Sequence, residues 1–147
     1  MNAEQLGEYL RERIPLSSAM AVEVRAAEAD GVELYAPLAP NINHRDTVFG
    51  GSASAVAILA AWSALLVRMR AEGLEARLVI RRNTMSYDRP ITSGFTARAG
   101  PPDAAAWAKL TATLRRGRPA RVHVGAKLEC GGETVGEFDG EFAVLPP

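Results

Sequence analysis

The sequence predicts an α+β fold in which an antiparallel sheet wraps around one long buried helix. Two observations lead to this prediction. Residues Ala53–Val67 contain no charged side chain, and a helix that is apolar on every face is normally a core helix. The segments around it alternate apolar and polar residues with a period of two, which is typical of a sheet with one wet face. We therefore expect the sheet to cover one side of the helix and a second subunit the other.

Length and composition fit one globular domain, which we expect to span residues 1–147. The chain is 48% hydrophobic and 23% charged, which is ordinary for such a domain. Seventeen Lys and Arg balance seventeen Asp and Glu, so no net charge draws the protein to nucleic acid or to an anionic membrane. The single cysteine, Cys130, excludes an intrachain disulfide and a cysteine-rich zinc site. We expect a cytoplasmic protein.

The first segment, Met1–Arg13, is predicted to be a short amphipathic helix. Leu6, Tyr9 and Leu10 lie on one stripe at helical spacing, and Pro15 marks the end of the helix. Charged residues are scattered through the segment, which therefore lacks the apolar run of a signal peptide.

A β-hairpin is predicted next, around a turn signal at Asp30 and Gly31. Apolar residues occupy every second position on both sides of the turn. These positions are Met20, Val22, Val24 and Ala26 before it, and Val32, Leu34, Ala36 and Leu38 after it. Pro37 and Pro40 close the hairpin, because proline cannot donate to a strand ladder.

The central helix is predicted to start near Gly50 and Gly51. Its uncharged part, Ala53–Val67, is shorter than the roughly 20 residues that span a bilayer. It leads into a charged exit that ends at Gly73, as helices in globular proteins commonly do. We therefore interpret it as a core helix.

The rest of the chain supplies strand-like segments separated by proline and glycine. They are Leu78–Tyr87, Phe95–Ala99, Lys109–Leu114, Ala120–Cys130 and Thr134–Leu145. A helix, a hairpin, a long buried helix and then successive antiparallel strands form an α+β order.

This order, together with PLAPNINHRDTVFGGS from Pro37 to Ser52, resembles the hot-dog superfamily of acyl-CoA thioesterases. Within it, the chain is similar to the thioesterase domains that resemble the C-terminal half of YiiD-type acetyltransferases. The specific positions are Asn41, Asn43, Thr47, Phe49, Gly50, Gly51 and Ser52. The resemblance implies a hot-dog fold, dimers formed through edge strands that can pair into tetramers, and acyl-CoA or acyl-carrier thioester substrates bound at the subunit boundary.

The chain departs from this family pattern at two places. Well-studied relatives have a histidine where Phe49 stands, and a carboxylate about two turns into the helix that orients the attacking water. Here that part of the helix reads Val56, Ala57, Ile58 and Leu59. The family mechanism is therefore not transferred to this chain.

The start of the central helix is the predicted catalytic point. Thioester hydrolysis develops negative charge on the carbonyl oxygen, which free N–H groups at a helix N-terminus stabilise. We assign the Gly51 N–H as the donor, with the N–H or hydroxyl of Ser52 beside it, and Gly50 and Phe49 in the substrate site. The alternative is that both glycines only permit a tight turn, with Ser52 as the N-terminal cap.

Three residues upstream are the candidates for activating water. The amide of Asn43 could position water or substrate, while imidazole suits His44 to general-base chemistry near neutrality. Asp46 could do the same if it is partly buried. Asn41 is expected to fix the loop through bonds to backbone, within the substrate-binding set. The alternative is that all of them are ordinary loop residues.

Other catalytic chemistries find less support. The residues around Ser52 read GGSAS rather than G-x-S-x-G, which disfavours a serine nucleophile. His44 and His123 are the only histidines, and neither has a carboxylate pair at ligand-like spacing. We expect no metal and no cofactor.

An arginine cluster is a second candidate for substrate binding. Arg115, Arg116, Arg118 and Arg121 surround a predicted turn, and paired guanidinium groups suit the phosphates of coenzyme A, with Arg116 and Arg118 as the chosen pair. The alternative is a solvated turn. The cluster lacks the interleaved aromatic residues that stack on nucleic-acid bases.

The leading hypothesis is hydrolysis of an acyl-CoA-like thioester by activated water, polarised at the Gly51 end of the helix. The second is a non-catalytic acyl-CoA-binding or regulatory module with the same pocket and dimer. A third, a dehydratase acting on hydroxyacyl thioesters, requires a facing histidine and carboxylate, and His44 with Asp46 are too close in the chain for that.

Overall fold

An antiparallel six-stranded sheet wraps around one central helix in the computed structural model, which describes residues 1–147. The helices are α1 (Ala3–Arg13), α2 (Pro15–Ala19), α3 (Gly50–Ala71) and α4 (Ala104–Arg115). The strands are β1 (Glu23–Glu28), β2 (Gly31–Ala36), β3 (Arg77–Tyr87), β4 (Phe95–Ala99), β5 (Ala120–Cys130) and β6 (Glu133–Leu145). The α+β class is confirmed, in the hot-dog arrangement that the resemblance implies.

Helix α3 is the centre of the hydrophobic core. By length and composition it could cross a membrane, but 61% of its most apolar 18-residue window is buried inside the chain. It contacts β2, β4 and β5 on the concave face of the sheet. Alanines at 57, 60, 61 and 64 are at most 2% exposed, and their small size lets the strands pack closely. The prediction of a core helix is confirmed.

The strand order β1-β2-β4-β5-β6-β3 leaves β1 and β3 at the two edges. The inward side chains of β5 are Val122, Val124, Ala126 and Leu128, all buried, and they alternate with exposed residues. Helix α1 packs against β1. No element covers the outer edge of β3, where Val79 and Tyr87 are exposed.

The convex face of the sheet is polar. The Arg81 Nη1 donates to Glu141 Oε1 at 2.6 Å, and this hydrogen bond holds the pKa of the Glu141 carboxyl below its usual range. His123 lies between Asp139 and Glu141, with its Nδ1 3.3 Å from Asp139 Oδ2.

The predicted strand Lys109–Leu114 is wrong, because this segment belongs to helix α4. Leu110, Ala112 and Leu114 alternate with polar residues, which suggested a strand. The side chains that the helix buries are Trp107, Leu110 and Thr111, at helical spacing. Alanine favours helix, and the Asp103 side chain caps α4 by accepting from the Ala106 N–H at 3.1 Å.

The start of the hairpin also needs correction. Strand β1 begins at Glu23, not at Met20, because Met20 caps the short helix α2 and Ala21 adopts a left-handed conformation with φ of 55°. Pro15 is the first residue of α2, a position where its missing N–H costs no hydrogen bond. The α1 helix does end before Pro15, at Arg13.

A hydrogen bond between Trp107 and Glu72 links α4 to the C-terminal end of α3. The buried Trp107 donates its indole N–H to both carboxylate oxygens of Glu72, at 2.9 and 3.1 Å. We expect Glu72→Ala to lower the free energy of unfolding by about 1–3 kcal/mol, because it leaves a buried donor without a partner.

The control is Glu75→Ala, since Glu75 is exposed and accepts no side-chain hydrogen bond. Its effect should stay within about 0.5 kcal/mol. Urea denaturation followed by tryptophan fluorescence measures both variants, and equal losses would contradict the role given to Glu72.

Candidate functional site

Asn41 anchors the loop that leads to α3. Its side chain is 1% exposed, and its amide Nδ2 donates to the carbonyl oxygens of Met20 at 3.0 Å and Pro37 at 2.8 Å. Its own carbonyl accepts from the Phe49 N–H at 2.7 Å. The Asn41 side chain therefore faces the interior of the chain and bonds to backbone as expected, while its place in the substrate-binding set stays a prediction.

The amide of Asn43 closes the turn that follows. Its Nδ2 donates to Thr47 Oγ1 at 2.9 Å, and its Oδ1 accepts from the N–H groups of Arg45 at 2.8 Å and Thr47 at 3.2 Å. Asp46 completes the turn in a left-handed conformation, with φ of 60°. Both polar atoms of the Asn43 amide are therefore occupied within the loop, and positioning a water would require breaking these bonds.

His44 and Asp46 lie at the exposed tip of this turn. Neither side chain makes a hydrogen bond or an ion pair within the chain. Neither contributes to the cavity beside the start of α3, where the loop contributes Thr47 and Val48 instead. The structure therefore places neither of these two sequence candidates at the cavity that Gly50 lines.

The first turn of α3 presents three backbone donors without partners. The first backbone hydrogen bond of the helix runs from the Ala53 N–H to the Phe49 carbonyl at 3.1 Å. The N–H groups of Gly50, Gly51 and Ser52 have no acceptor in the chain. The helix has 22 residues, and its dipole adds positive potential at this end.

The alternative of Ser52 as an N-terminal cap is wrong. Phe49 occupies the cap position and makes no side-chain cap bond, while Ser52 is already the third residue of the helix. The three donors are therefore left for an external acceptor. This is the arrangement that the assignment of Gly51 and Ser52 as oxyanion donors requires.

Two exposed aromatic rings flank these donors, and one of them explains why a glycine stands at position 51. A Cβ atom on Gly51 would collide with the ring of Phe49, and one on Gly50 would lie 3.4 Å from Cε1 of Tyr87. Phe49 is 57% exposed and Tyr87 is 58% exposed. Gly51 therefore lets the Phe49 ring lie directly against the helix start, whereas a Cβ atom at Gly50 would make only an ordinary contact with Tyr87.

A cavity of about 340 Å³ opens beside Gly50, between α3 and the end of β3. Asp88 is the only acidic residue that lines it. The carboxylate of Asp88 makes one long contact, 3.5 Å from Ser86 Oγ, and forms no ion pair. The neighbouring Arg89 is bound to Glu133 at 2.8 Å.

Sequence reasoning did not single out Asp88, which directly follows the predicted strand Leu78–Tyr87. The sequence did contain one signal for Asp88, since it is an acidic residue directly after a predicted strand. The strand pairing that brings Tyr87 and Asp88 to Gly50 is not visible in the local sequence.

A second cavity of about 410 Å³ runs along the other side of α3. All ten of its lining residues are hydrophobic. One wall is α3 from Ala55 to Trp62, and the other is β3 from Leu78 to Ile80, with side chains from the α1–α2 region at the rim.

Arg116 and Arg118 lie at the other end of the sheet. They directly precede β5, which begins at Ala120. Tyr87 of β3 and Leu128 of β5 both lie beside Gly136 of β6, the strand between them. The offset of eight residues from Ala120 to Leu128 corresponds to about 26 Å along a strand. Within one chain these arginines therefore lie far from the start of α3, and their role in binding the phosphates of coenzyme A stays a prediction.

Residues 3–146 match the model of a protein family described as "Putative thioesterase (yiiD_Cterm)". The chain is also similar to solved structures. A protein of unknown function from Chlorobaculum tepidum TLS has a TM-score of 0.93 at 25% identity, over 99% of this chain and 94% of that one. A "putative thioesterase" from Shewanella oneidensis has a TM-score of 0.88 at 27% identity, over 98% and 97%. A thioesterase from Haemophilus influenzae, at 17% identity and a TM-score of 0.79 over 99% and 92%, shares the fold.

We expect Asn41→Ala to destabilise the loop and the chain by about 1–3 kcal/mol, because the carbonyls of Met20 and Pro37 lose their buried donor. His44→Ala, in the same loop but exposed, should change stability by less than about 0.5 kcal/mol. Equilibrium unfolding in urea measures both. An Asn41→Ala variant as stable as the wild type would show that the loop does not depend on this anchor.

Proposed function

This chain belongs to the yiiD_Cterm thioesterase family, and we propose that it hydrolyses acyl-CoA or acyl-carrier thioesters with a water molecule at the N-terminus of α3. The observation that supports this most is the set of three unpartnered N–H groups at Gly50, Gly51 and Ser52. They lie at the positive end of a long helix dipole, where negative charge is stabilised.

In this proposal the thioester carbonyl oxygen accepts hydrogen bonds from the N–H groups of Gly51 and Ser52. Water attacks the carbonyl carbon, a new C–O bond forms, and negative charge develops on the oxygen that faces the donors. The intermediate then collapses with cleavage of the C–S bond. The products are the carboxylic acid and the free thiol of the carrier.

We assign the general base to Asp88 rather than to His44 or Asp46. Asp88 lines the same cavity as Gly50, and its carboxylate has no cation that would compete for it. It would take one proton from the attacking water and return a proton to the leaving thiolate. His44 and Asp46, at the loop tip, lack this placement.

We expect Asp88→Asn to lower kcat by about 10²–10⁴-fold with a much smaller change in KM, because the amide cannot accept the proton. His44→Ala and Asp46→Asn serve as controls that test the other two candidates and should stay within a few-fold of the wild type. Thiol release from a panel of acyl-CoA thioesters measures all four proteins. If one of the two control variants lost turnover while Asp88→Asn stayed active, the residue changed in that control would be the general base.

A non-catalytic acyl-CoA-binding module is the second candidate function. It is favoured by the apolar stretch Val56–Leu59, where the family resemblance implies a carboxylate and where Val56 and Ala57 are fully buried. Calorimetry separates the two candidates, since tight acyl-CoA binding by the wild type without any thiol release would support the module.

We also propose that the chain forms a homodimer through β3. This strand is a free edge, and exposed edges with apolar residues invite pairing. Large exposed apolar side chains gather on this side of the molecule, including Val79 on β3 and Leu16 on α2. The other edge, β1, is packed against α1. Two copies related by a twofold axis would join their β3 strands, and two such dimers would give the tetramer.

We expect the wild type to sediment as a dimer or a larger species at micromolar concentration, and Val79→Glu to sediment as a monomer. In a twofold interface the introduced carboxylate would be desolvated and would face its own copy. Ala26→Glu places the same charge at an exposed position on the opposite edge strand and should leave the assembly unchanged. If the Ala26→Glu protein were monomeric and the Val79→Glu protein stayed assembled, the interface would lie at β1 instead.

A further inference from the structure

We propose that the cleft between α4 and the first half of β5 binds a short, extended, acidic segment of another protein, which adds to the free edge of β5 as an extra strand. The cleft has a volume of about 480 Å³ and is lined by residues between Asp103 and Thr113 on one side and by Pro119 to His123 on the other. It lies far from the start of α3, so this role is independent of the proposed function.

The first half of β5 has a neighbouring strand on one side only. Strand β6 pairs with the whole of β5, whereas β4 pairs only with Ala126–Glu129. Strand β4 ends at Ala99, and Pro101 and Pro102 follow it, where proline cannot donate to a ladder. The chain then forms α4, whose backbone groups bond within the helix. The backbone groups of residues 120–125 that point away from β6 therefore have no hydrogen-bond partner in the chain.

The cleft runs along this free edge. Four consecutive residues of β5, from Ala120 to His123, line it, although successive side chains of a strand point to opposite faces of the sheet. A space that both sets of side chains border lies beside the strand and not on either face. The opposite wall consists of residues at helical spacing, which are Asp103, Ala106, Lys109, Leu110 and Thr113. An open strand edge beside a groove is the arrangement that accepts an added strand.

The charge of the cleft favours an acidic segment. Lys109 and Arg121 line it, and the other three members of the arginine cluster directly precede β5 in the chain. None of these five cations forms an ion pair. Asp103 is the only acidic residue that lines the cleft, and its carboxylate caps α4. Glu141, which neighbours the cleft on β6, is bonded to Arg81. Carboxylates on an added strand would therefore meet cations that have no other partner.

Protection of the edge is the other role that α4 could have, since sheets often cover a free edge with a helix. Leu110 does pack into the core, at 1% exposure. However, Ala106 on the same face of α4 is small and exposed, and the cleft stays open between it and β5. Helix α4 therefore covers the inward face of the strand and leaves its edge within reach of another chain.

The first test uses a blocked, fluorescently labelled peptide in which glutamate alternates with valine, and fluorescence anisotropy measures its affinity for the full chain. Two further versions carry N-methyl groups on alternate backbone amides, so that each version blocks one edge of the extended peptide. One version should bind at least about tenfold more weakly, because it loses several backbone hydrogen bonds to β5. The other should bind as the unmethylated peptide does. Equal affinities of the two methylated versions would overturn strand addition.

Charge is tested with a peptide that has lysine in place of glutamate and with Arg121→Glu. Both changes should weaken binding by about fivefold or more, since they replace an attraction with a repulsion. Lys127→Glu makes the same change on the part of β5 that is paired on both sides, and should keep the wild-type affinity. Equal binding of the acidic and the basic peptide would contradict the choice of an acidic partner.

A variant without any change of charge covers the case in which Arg121→Glu does not fold. Ala106→Trp fills the cleft from an exposed position on α4 and should abolish binding of the acidic peptide. Ala105→Trp places the same side chain at an exposed neighbouring position that does not line the cleft, and should bind as the wild type does. Normal binding by Ala106→Trp would show that the peptide binds elsewhere.

Amide hydrogen exchange followed by NMR locates the bound peptide. Saturating peptide should slow the exchange of alternate amides within residues 120–125 and leave those of Ala126–Glu129 unchanged. Slowing at β1 or β3 instead would overturn the proposal. Slowing within 120–125 by inorganic phosphate or coenzyme A, with none by the peptide, would assign the cleft to a small anion. If Ala106→Trp alone changed the sedimentation of the protein without peptide, the occupant would be a second copy of this chain, and the proposal would be wrong.

Discussion

The structure depends on burying α3, a helix whose central residues carry no charge. A helix that is apolar on every face is stable in water only if most of its surface is covered. The curved sheet covers most of it, with alanines at the closest contacts. One short chain cannot cover the whole helix, and the stripe from Gly51 to Trp62 stays partly open. The open stripe therefore results from the way in which the core is built.

The position at which α3 begins also determines where free backbone donors are found. A helix beginning at Gly50 leaves three N–H groups unpaired, and the absence of a capping side chain at Phe49 keeps them free. The cavity with Asp88 lies on one side of this helix start, and the apolar cavity begins one turn further along another face. In the proposed reaction, a thioester held at the donors would lie beside the cavity that Asp88 lines.

The polar loop before α3 is a scaffold for this arrangement. The Asn43 amide bonds within the loop itself, and the Asn41 Nδ2 ties the loop to Met20, so their place in the sequence pattern has a structural explanation. If a substitution of either residue lowered activity, the first explanation would be a displaced start of α3 rather than a lost catalytic group. For this reason activity and stability must be measured together for variants in residues 41–49.

The sequence by itself determined the features that depend on neighbouring residues. The central helix, its start at the two glycines, four of the five later strands and the α+β class follow from local periodicity and turn residues. The segment Lys109–Leu114 shows the limit of such patterns. Its six residues alternate apolar and polar as a strand does, but Trp107, Leu110 and Thr111 together follow the spacing of a helix.

Only the tertiary structure decided which polar groups lie near the start of α3. The pairing of β3 with β6 and the packing of β3 against α3 bring Asp88 to the cavity that Gly50 lines, while Arg116 and Arg118 lie at the far end of the sheet. These placements depend on strand register between residues far apart in the chain, and no local pattern encodes that register.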